Sequence, residues 1–137
     1  MRSISDNVLA VKAVDPIAAS AVQTSAAIDT MGYNTAMVVV QNGAATGSPS
    51  SYTVDAKIQE CDTSGGSYTD ITGATATQIV ADAKLGTIRL EGLGTSARKR
   101  YIKVLVTPAL SGGSSPKAII GATVLLGRAN QLPVTNS

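Results

Sequence analysis

The sequence predicts an all-β fold: an antiparallel β-sandwich, or a jelly-roll-like barrel, of about eight strands with flexible termini. Three observations predict it. Within Ser50 to Thr72, Tyr52, Val54, Ala56 and Ile58 fall on one face while Thr53, Asp55, Lys57 and Gln59 fall on the other. That period of two suits a half-buried strand and not a helix. Turn-forming clusters of Gly, Pro, Asn, Asp and Ser recur every ten or so residues, the spacing of sandwiches and barrels. The apolar content is light: 20 alanines, 32 Val, Ile and Leu together, and no Phe or Trp. Small and β-branched side chains suit closely approaching sheets better than bulky helix packing.

In chain order, Asn7 to Val14 (NVLAVKAV) reads as a first strand, ended by Asp15-Pro16 because proline restricts its predecessor and donates no ladder bond. Ile17 to Ile28 is rich in Ala, Ser and Thr; Val22, Thr24 and the serines favour strand over helix. Asp29 to Asn34 is a turn, and Thr35 to Gln41 (TAMVVVQ) is a continuous β-branched run of the kind covered on both faces. Asn42 to Ser51 has the composition of a flexible loop. The strand through Ile58 then reverses at Asp62-Thr63-Ser64-Gly65-Gly66 and restarts at Ser67-Tyr68-Thr69-Asp70-Ile71, a β-hairpin. Thr75 to Ala81 fits a short strand or a helical turn. Gly86 to Leu90 is a strand, followed by a turn at Gly92 to Ser96. Arg98 to Thr107 (RKRYIKVLVT) is a strand with Ile102, Val104 and Val106 inward, closed by Pro108. After a loop at Leu110 to Pro116, Lys117 to Leu126 is the last strand, kinked or bulged at Gly121. No fixed-period repeat is present.

At 137 residues the chain reads as a single β domain over 1–137, with an N-terminal arm at 1–8 and a C-terminal tail at 128–137. A core this light points to docking on a larger assembly as a source of stability. The start of the chain lacks the pattern of a signal peptide, and no apolar run approaches the ~20 residues of a membrane span. No membrane role is expected.

The residue inventory removes most catalytic chemistry. Histidine is absent, which excludes Ser-His-Asp and Cys-His catalysis and the commonest transition-metal ligand. The single cysteine, Cys61, excludes a disulfide within the chain, and its flanking Glu60 and Asp62 make a poor setting for a thiolate. Glu60 and Asp62, with Asp55 and Asp70 across the hairpin, lack the spacing of any calcium loop and read as turn-forming, solvated carboxylates. Gly92-Leu93-Gly94 and Gly112-Gly113 lack the Lys-Ser/Thr ending of a phosphate-binding loop. No enzyme activity, cofactor or metal is expected. Net charge is only +2. The one local excess, Arg98, Lys99, Arg100 and Lys103, reads as a solvated strand start or as a contact patch for an acidic protein surface. Nucleic acid is not expected, since single-strand binding normally adds aromatic platforms.

The order of motifs is familiar. Asp29-Thr30-Met31-Gly32-Tyr33 precedes an apolar strand; Tyr52-Thr53-Val54 leads to Glu60-Cys61-Asp62; then come Ser67-Tyr68-Thr69-Asp70-Ile71 and Lys99-Arg100-Tyr101-Ile102-Lys103-Val104, and last Leu132-Pro133-Val134. From Asp29 to Val134 this resembles a family of small virion proteins of tailed bacteriophages, often encoded close to the major capsid protein. The resemblance implies a head decoration or cement protein, made in the host bacterial cytoplasm and carried on the outer capsid. It implies the major capsid protein as partner, with a homo-oligomer, a trimer favoured, or copies arrayed on the shell. The expected contacts are Arg98, Lys99, Arg100 and Lys103, with Arg2, Leu132 and Val134 in the termini. Another station on the particle (head–tail connector, tail tube or fibre base) and a host-surface binding module are the alternatives.

Overall fold

The computed structural model describes residues 3–129. After one helical turn, α1 (Ile4–Asn7), the chain runs through β1 (Leu9–Ala19), β2 (Gln23–Thr24), β3 (Ile28–Asp29), β4 (Thr35–Asn42), β5 (Ser51–Cys61), β6 (Thr69–Thr75), β7 (Leu85–Glu91), β8 (Tyr101–Ser111) and β9 (Ala118–Gly127). One antiparallel sheet has the order β1-β9-β4-β7; the other has β2-β8-β5-β6, with β3 also pairing β8. With β2 and β3 taken as one interrupted strand, every connection except β5–β6 crosses from one sheet to the other. That wiring is the jelly roll, two Greek keys folded face to face.

The alternation in the sequence becomes the core. Val38, Val40, Val54, Ile58, Ile102, Val104, Val106 and Val124 point between the sheets and are essentially solvent-free. Each such side chain contributes roughly 1.5–3 kcal/mol on burial. With no Phe or Trp to accommodate, rows of valine and isoleucine fill the layer.

Several elements differ from the sequence expectation, each for a physical reason. Residues 4–7, expected within a flexible arm, form the α1 turn, where Asn7 Nδ2 donates to the Ser3 carbonyl at 2.6 Å. β1 does not stop at Asp15-Pro16. It continues to Ala19 through register shifts after Lys12 and Val14, and the proline sits in the bulge, where a missing ladder donor costs little. The bulge expected in β9 is therefore on β1, while Gly121 keeps regular register with Gln41. Residues 17–28 are not one strand: their start closes β1, and the rest splits into β2 and β3. Ser25 makes the break, its Oγ accepting from Val104 N at 2.9 Å and donating to Ala26 O at 2.9 Å.

Pro108 does not close β8. The N–H and C=O of its partner Val54 both bond Ile79, on the far side of β5 from β8. The Val54–Pro108 pair is thus non-hydrogen-bonded, and the proline nitrogen faces the edge beyond β2, where no ladder bond is lost. Past the end of β6 at Thr75, residues 76–81 form neither the short strand nor the helical turn expected; the single Val54–Ile79 bridge ties them to β5. The supposedly flexible loop at 42–51 is stitched to the loop after β8: Thr46 and Lys117 exchange both backbone bonds, and Ser114 N donates to Gly47 O at 2.8 Å.

Candidate interaction surface

The motif segments of the sequence meet at one corner of the second sheet. β8 begins at Tyr101, so Arg98, Lys99 and Arg100 lie in the turn before it rather than on strand faces. There each finds a carboxylate. Arg100 clamps Asp29 in bidentate fashion, Nε to Oδ1 at 2.9 Å and Nη2 to Oδ2 at 2.7 Å. Arg98 Nη1 lies 3.4 Å from Glu60 Oε1, while the other oxygen of Glu60 accepts the Lys99 backbone N–H at 3.1 Å. Lys99 Nζ is 3.9 Å from Asp62. The backbone agrees with the side chains: Asp29 pairs with Tyr101 and Cys61 pairs with Tyr101 from the other side, so β8 holds both acidic segments against the basic turn. Lys103, on β8 itself, places Nζ 4.4 Å from the centre of the Tyr68 ring, a cation–π contact.

Three arginine and lysine charges thus face three carboxylates, and the cluster is balanced rather than basic. Its surface offers matched polar groups around an open cleft of about 310 Å³, lined by Thr30, Met31, Gly32, Gly94 and the Arg98–Arg100 turn, with Met31 exposed at the rim. The Arg100 guanidinium holds the Asp29 carboxyl below the ordinary carboxylate range, and Asp29 in turn raises Arg100. The hydrogen bond from Gln59, then that from Lys57, holds Asp70 low. The acidic residues read from the sequence as one constellation are therefore dispersed: Asp70 binds Lys57 and Gln59, Asp55 binds Gln78, and Glu60 and Asp62 face the basic turn. Among the described residues no group of three or more Cys, Asp or Glu side chains is placed to hold a metal ion.

Cys61 is buried on the outer side of β5 under the 62–68 loop, with Thr63 Oγ1 3.9 Å from its Sγ. A Cβ on Gly66 would lie 2.5 Å from that sulfur, so only glycine lets the loop close over it. At the opposite end of the sandwich a polar knot joins the loop after β4, the loop before β7 and the start of β5. Asn42, 7% exposed, donates from Nδ2 to Ala81 O at 2.9 Å and Tyr52 Oη at 3.1 Å, and accepts from Lys84 N at 2.8 Å. Tyr52 Oη donates to Asp82, whose Oδ1 also accepts Ala45 N at 3.1 Å. Loss of water around Tyr52, then the adjacent Asp82 carboxylate, pushes its hydroxyl up to about 12.

Of the residues expected to make contacts, Arg98, Lys99, Arg100 and Lys103 are brought together at the corner; Arg2, Leu132 and Val134 lie outside the described residues. The sequence reading missed Asp29 and Glu60 as their partners. Asp29 looked like a turn former and Glu60 like part of an acidic group, and nothing local marks a contact across 71 or 38 residues.

No protein-family model matches the chain, and no curated protein does. Solved structures do. The PBSX exported protein XepA matches with a TM-score of 0.61 at 14% identity, over 92% of this chain and 39% of that one. The chain thus spans well under half the length of XepA. The SPBc2 prophage-derived protein YomS matches with a TM-score of 0.47 at 11% identity, over 88% and 93% of the two chains. A chain of the infectious bursal disease virus Gx strain matches with a TM-score of 0.48 at 14% identity, over 93% and 33%. At 14% identity the XepA match shows a shared fold and nothing further. Of these three, two are phage-derived and one is viral. Among the described residues no helix is long and apolar enough to cross a membrane.

Proposed function

We propose that this chain is a structural protein of a tailed-phage particle, a binding protein rather than an enzyme. It sits on the outside of the capsid and stabilises contacts between major capsid subunits. The observation that supports the reading most is the jelly-roll strand order, shared at the level of fold with a prophage-encoded protein. The charge-matched corner adds to it: Asp29, Glu60 and Asp62 lie against the Arg98–Arg100 turn and form with it a polar surface suited to a protein contact. A cement protein acts by mass action. It binds the assembled shell and not the free subunits, so each copy bound adds its binding free energy to the assembled state. Arg98 to Lys103 and the two termini are the proposed contacts with the major capsid protein, copies being arrayed over the shell.

The test is the copy number of this chain relative to the major capsid protein in purified particles, by quantitative mass spectrometry. A number comparable to the capsid protein supports the shell position. A handful of copies moves the chain to the connector or tail, and complete absence sinks the virion reading.

A further inference from the structure

We propose that the outer face of the β1-β9-β4-β7 sheet is a self-association surface, on which a second copy of this chain packs as a two-fold pair. The proposal goes beyond the capsid reading and does not depend on it.

The outward residues of the two central strands carry no charge. They are Thr35, Met37, Val39 and Gln41 on β4 and Ile119, Gly121, Thr123, Leu125 and Gly127 on β9. Met37 lies beside Leu125, and Val39 beside Thr123, so the apolar side chains form one connected strip. The other sheet, from the same chain, turns Asp55, Lys57, Gln59 and Lys103 outward along its own central strands. One face is thus built for water and the other is not. Sequence reasoning required β4 to be covered on both faces, yet within the chain only its Ala36, Val38, Val40 and Asn42 face is covered.

The face is complementary to itself. Charges appear only on the edge strands, Lys12 and Asp15 on β1 (3.0 Å apart) and Arg89 and Glu91 on β7, and they sum to zero, so a second copy brings no net repulsion. A shallow depression of about 260 Å³ lies among Pro16, Gln41, Gly43, Ile119 and Gly121, open because Gly121 lacks a side chain beneath the β1 bulge. On the opposite edge Leu85 stands 57% exposed. Gln41 is in register with Leu85 on one side and Gly121 on the other, so the projecting residue and the depression lie at the same height along the strands. A two-fold axis parallel to the strands exchanges β1 with β7 and β9 with β4. It therefore sets each Leu85 over the other copy's depression, the reciprocal contact that an isologous interface requires. A three-fold ring needs two different patches on each subunit; a single face of this kind closes in pairs.

The area is sufficient. Four strands about 4.8 Å apart, over the eight residues of β4 at about 3.4 Å each, give about 500 Å² per copy and about 1,000 Å² in all. That is the lower bound of a specific interface, so association in the micromolar range is expected.

The experiment is sedimentation velocity on the purified 137-residue chain, without particles, from about 1 to 500 µM, a range that brackets micromolar Kd values. The wild type is expected to pair, and Leu85→Ser and Val39→Lys are each expected to weaken the pair by at least about tenfold, as removal of an apolar anchor seated in a pocket does. Thr107→Lys, on the outer face of the other sheet, is expected to change nothing. Leu85→Ser alters an already exposed residue, so it carries the test even if Val39→Lys impairs folding. A wild type that stays monomeric at the highest concentration overturns the proposal. So does association that survives Leu85→Ser, or that Thr107→Lys abolishes. None of these outcomes bears on copy number in particles, so the two readings fail separately.

Discussion

Replacing Asn42 by alanine tests whether the polar knot, and not only the apolar layer, holds the end of the sandwich together. Asn42 is 7% exposed and its side chain makes three hydrogen bonds, to Ala81 O, Tyr52 Oη and Lys84 N. A neutral hydrogen bond contributes about 0.5–1.5 kcal/mol net, and a partner left dry costs about 1–3 kcal/mol. Lys84 is exposed, so water takes over its N–H, whereas Ala81 O and Tyr52 Oη are partly buried and recover less. The expected loss is therefore about 2 kcal/mol, a fall in Tm of about 6–10 °C for a chain of this size. Urea unfolding followed by far-UV circular dichroism reads it, with the midpoint moving and the slope unchanged. Because Asn42 and Tyr52 share one network, Asn42→Ala and Tyr52→Phe should be non-additive, with a coupling of about 0.5–1 kcal/mol in a double-mutant cycle. A loss below about 0.5 kcal/mol, or strict additivity, refutes the reasoning, since both require that water replaces the network without cost.

The same knot predicts an alkaline limb. Between the ordinary tyrosine value of 10.0 and about 12 the folded chain keeps the Tyr52 proton that the unfolded chain has lost, so stability falls as pH rises through that window. The fall is about 1–2 kcal/mol after allowance for the exposed Asp82, and Tyr52→Phe should flatten it in urea midpoints measured from pH 9 to 12. At the other extreme, Asp29 is held below its ordinary 3.8 by Arg100, so the pair's stabilisation is complete above that value and is lost as pH falls through the lowered one. Both side chains are nearly half exposed, at 46% and 45%, so Arg100→Ala should cost little near neutrality and should shrink the acid limb of the same titration. Gly113→Ala should be the most damaging of these changes. The glycine has φ +71°, and an added Cβ would meet Gly47 O at 2.2 Å and Ser48 O at 2.7 Å, backbone atoms stitched to the neighbouring loop. A loss above about 2 kcal/mol, or failure to accumulate folded protein, is expected, and a wild-type melting curve would disprove the contact.

The strands with strong alternation were legible from residue order alone. Val54, Ala56 and Ile58 on β5, Ile88 and Leu90 on β7, and Ile102, Val104 and Val106 on β8 all point into the core as their spacing requires, because a strand's side-chain period is set by its backbone geometry. Fold class followed from such local facts. Local rules failed where a proline or serine was judged without its neighbour strand. Pro16 and Pro108 do not end strands, since one lies in a bulge and the other turns its nitrogen to an open edge, and Ser25 breaks a strand by replacing a ladder bond with its own hydroxyl. The candidate surface was legible only in half. Arg98, Lys99, Arg100 and Lys103 stand out as a charge run, but Asp29 is 71 residues from Arg100 and Glu60 is 38 from Arg98, and no pattern within a strand encodes which carboxylate a jelly-roll crossover delivers. Likewise, residue order showed that β4 is apolar on both faces, and only the assembled sheets decided which face the core covers and which is left open. Periodicity is a property of one strand, whereas charge neutralisation and the choice of covered face depend on pairings between strands distant in the chain.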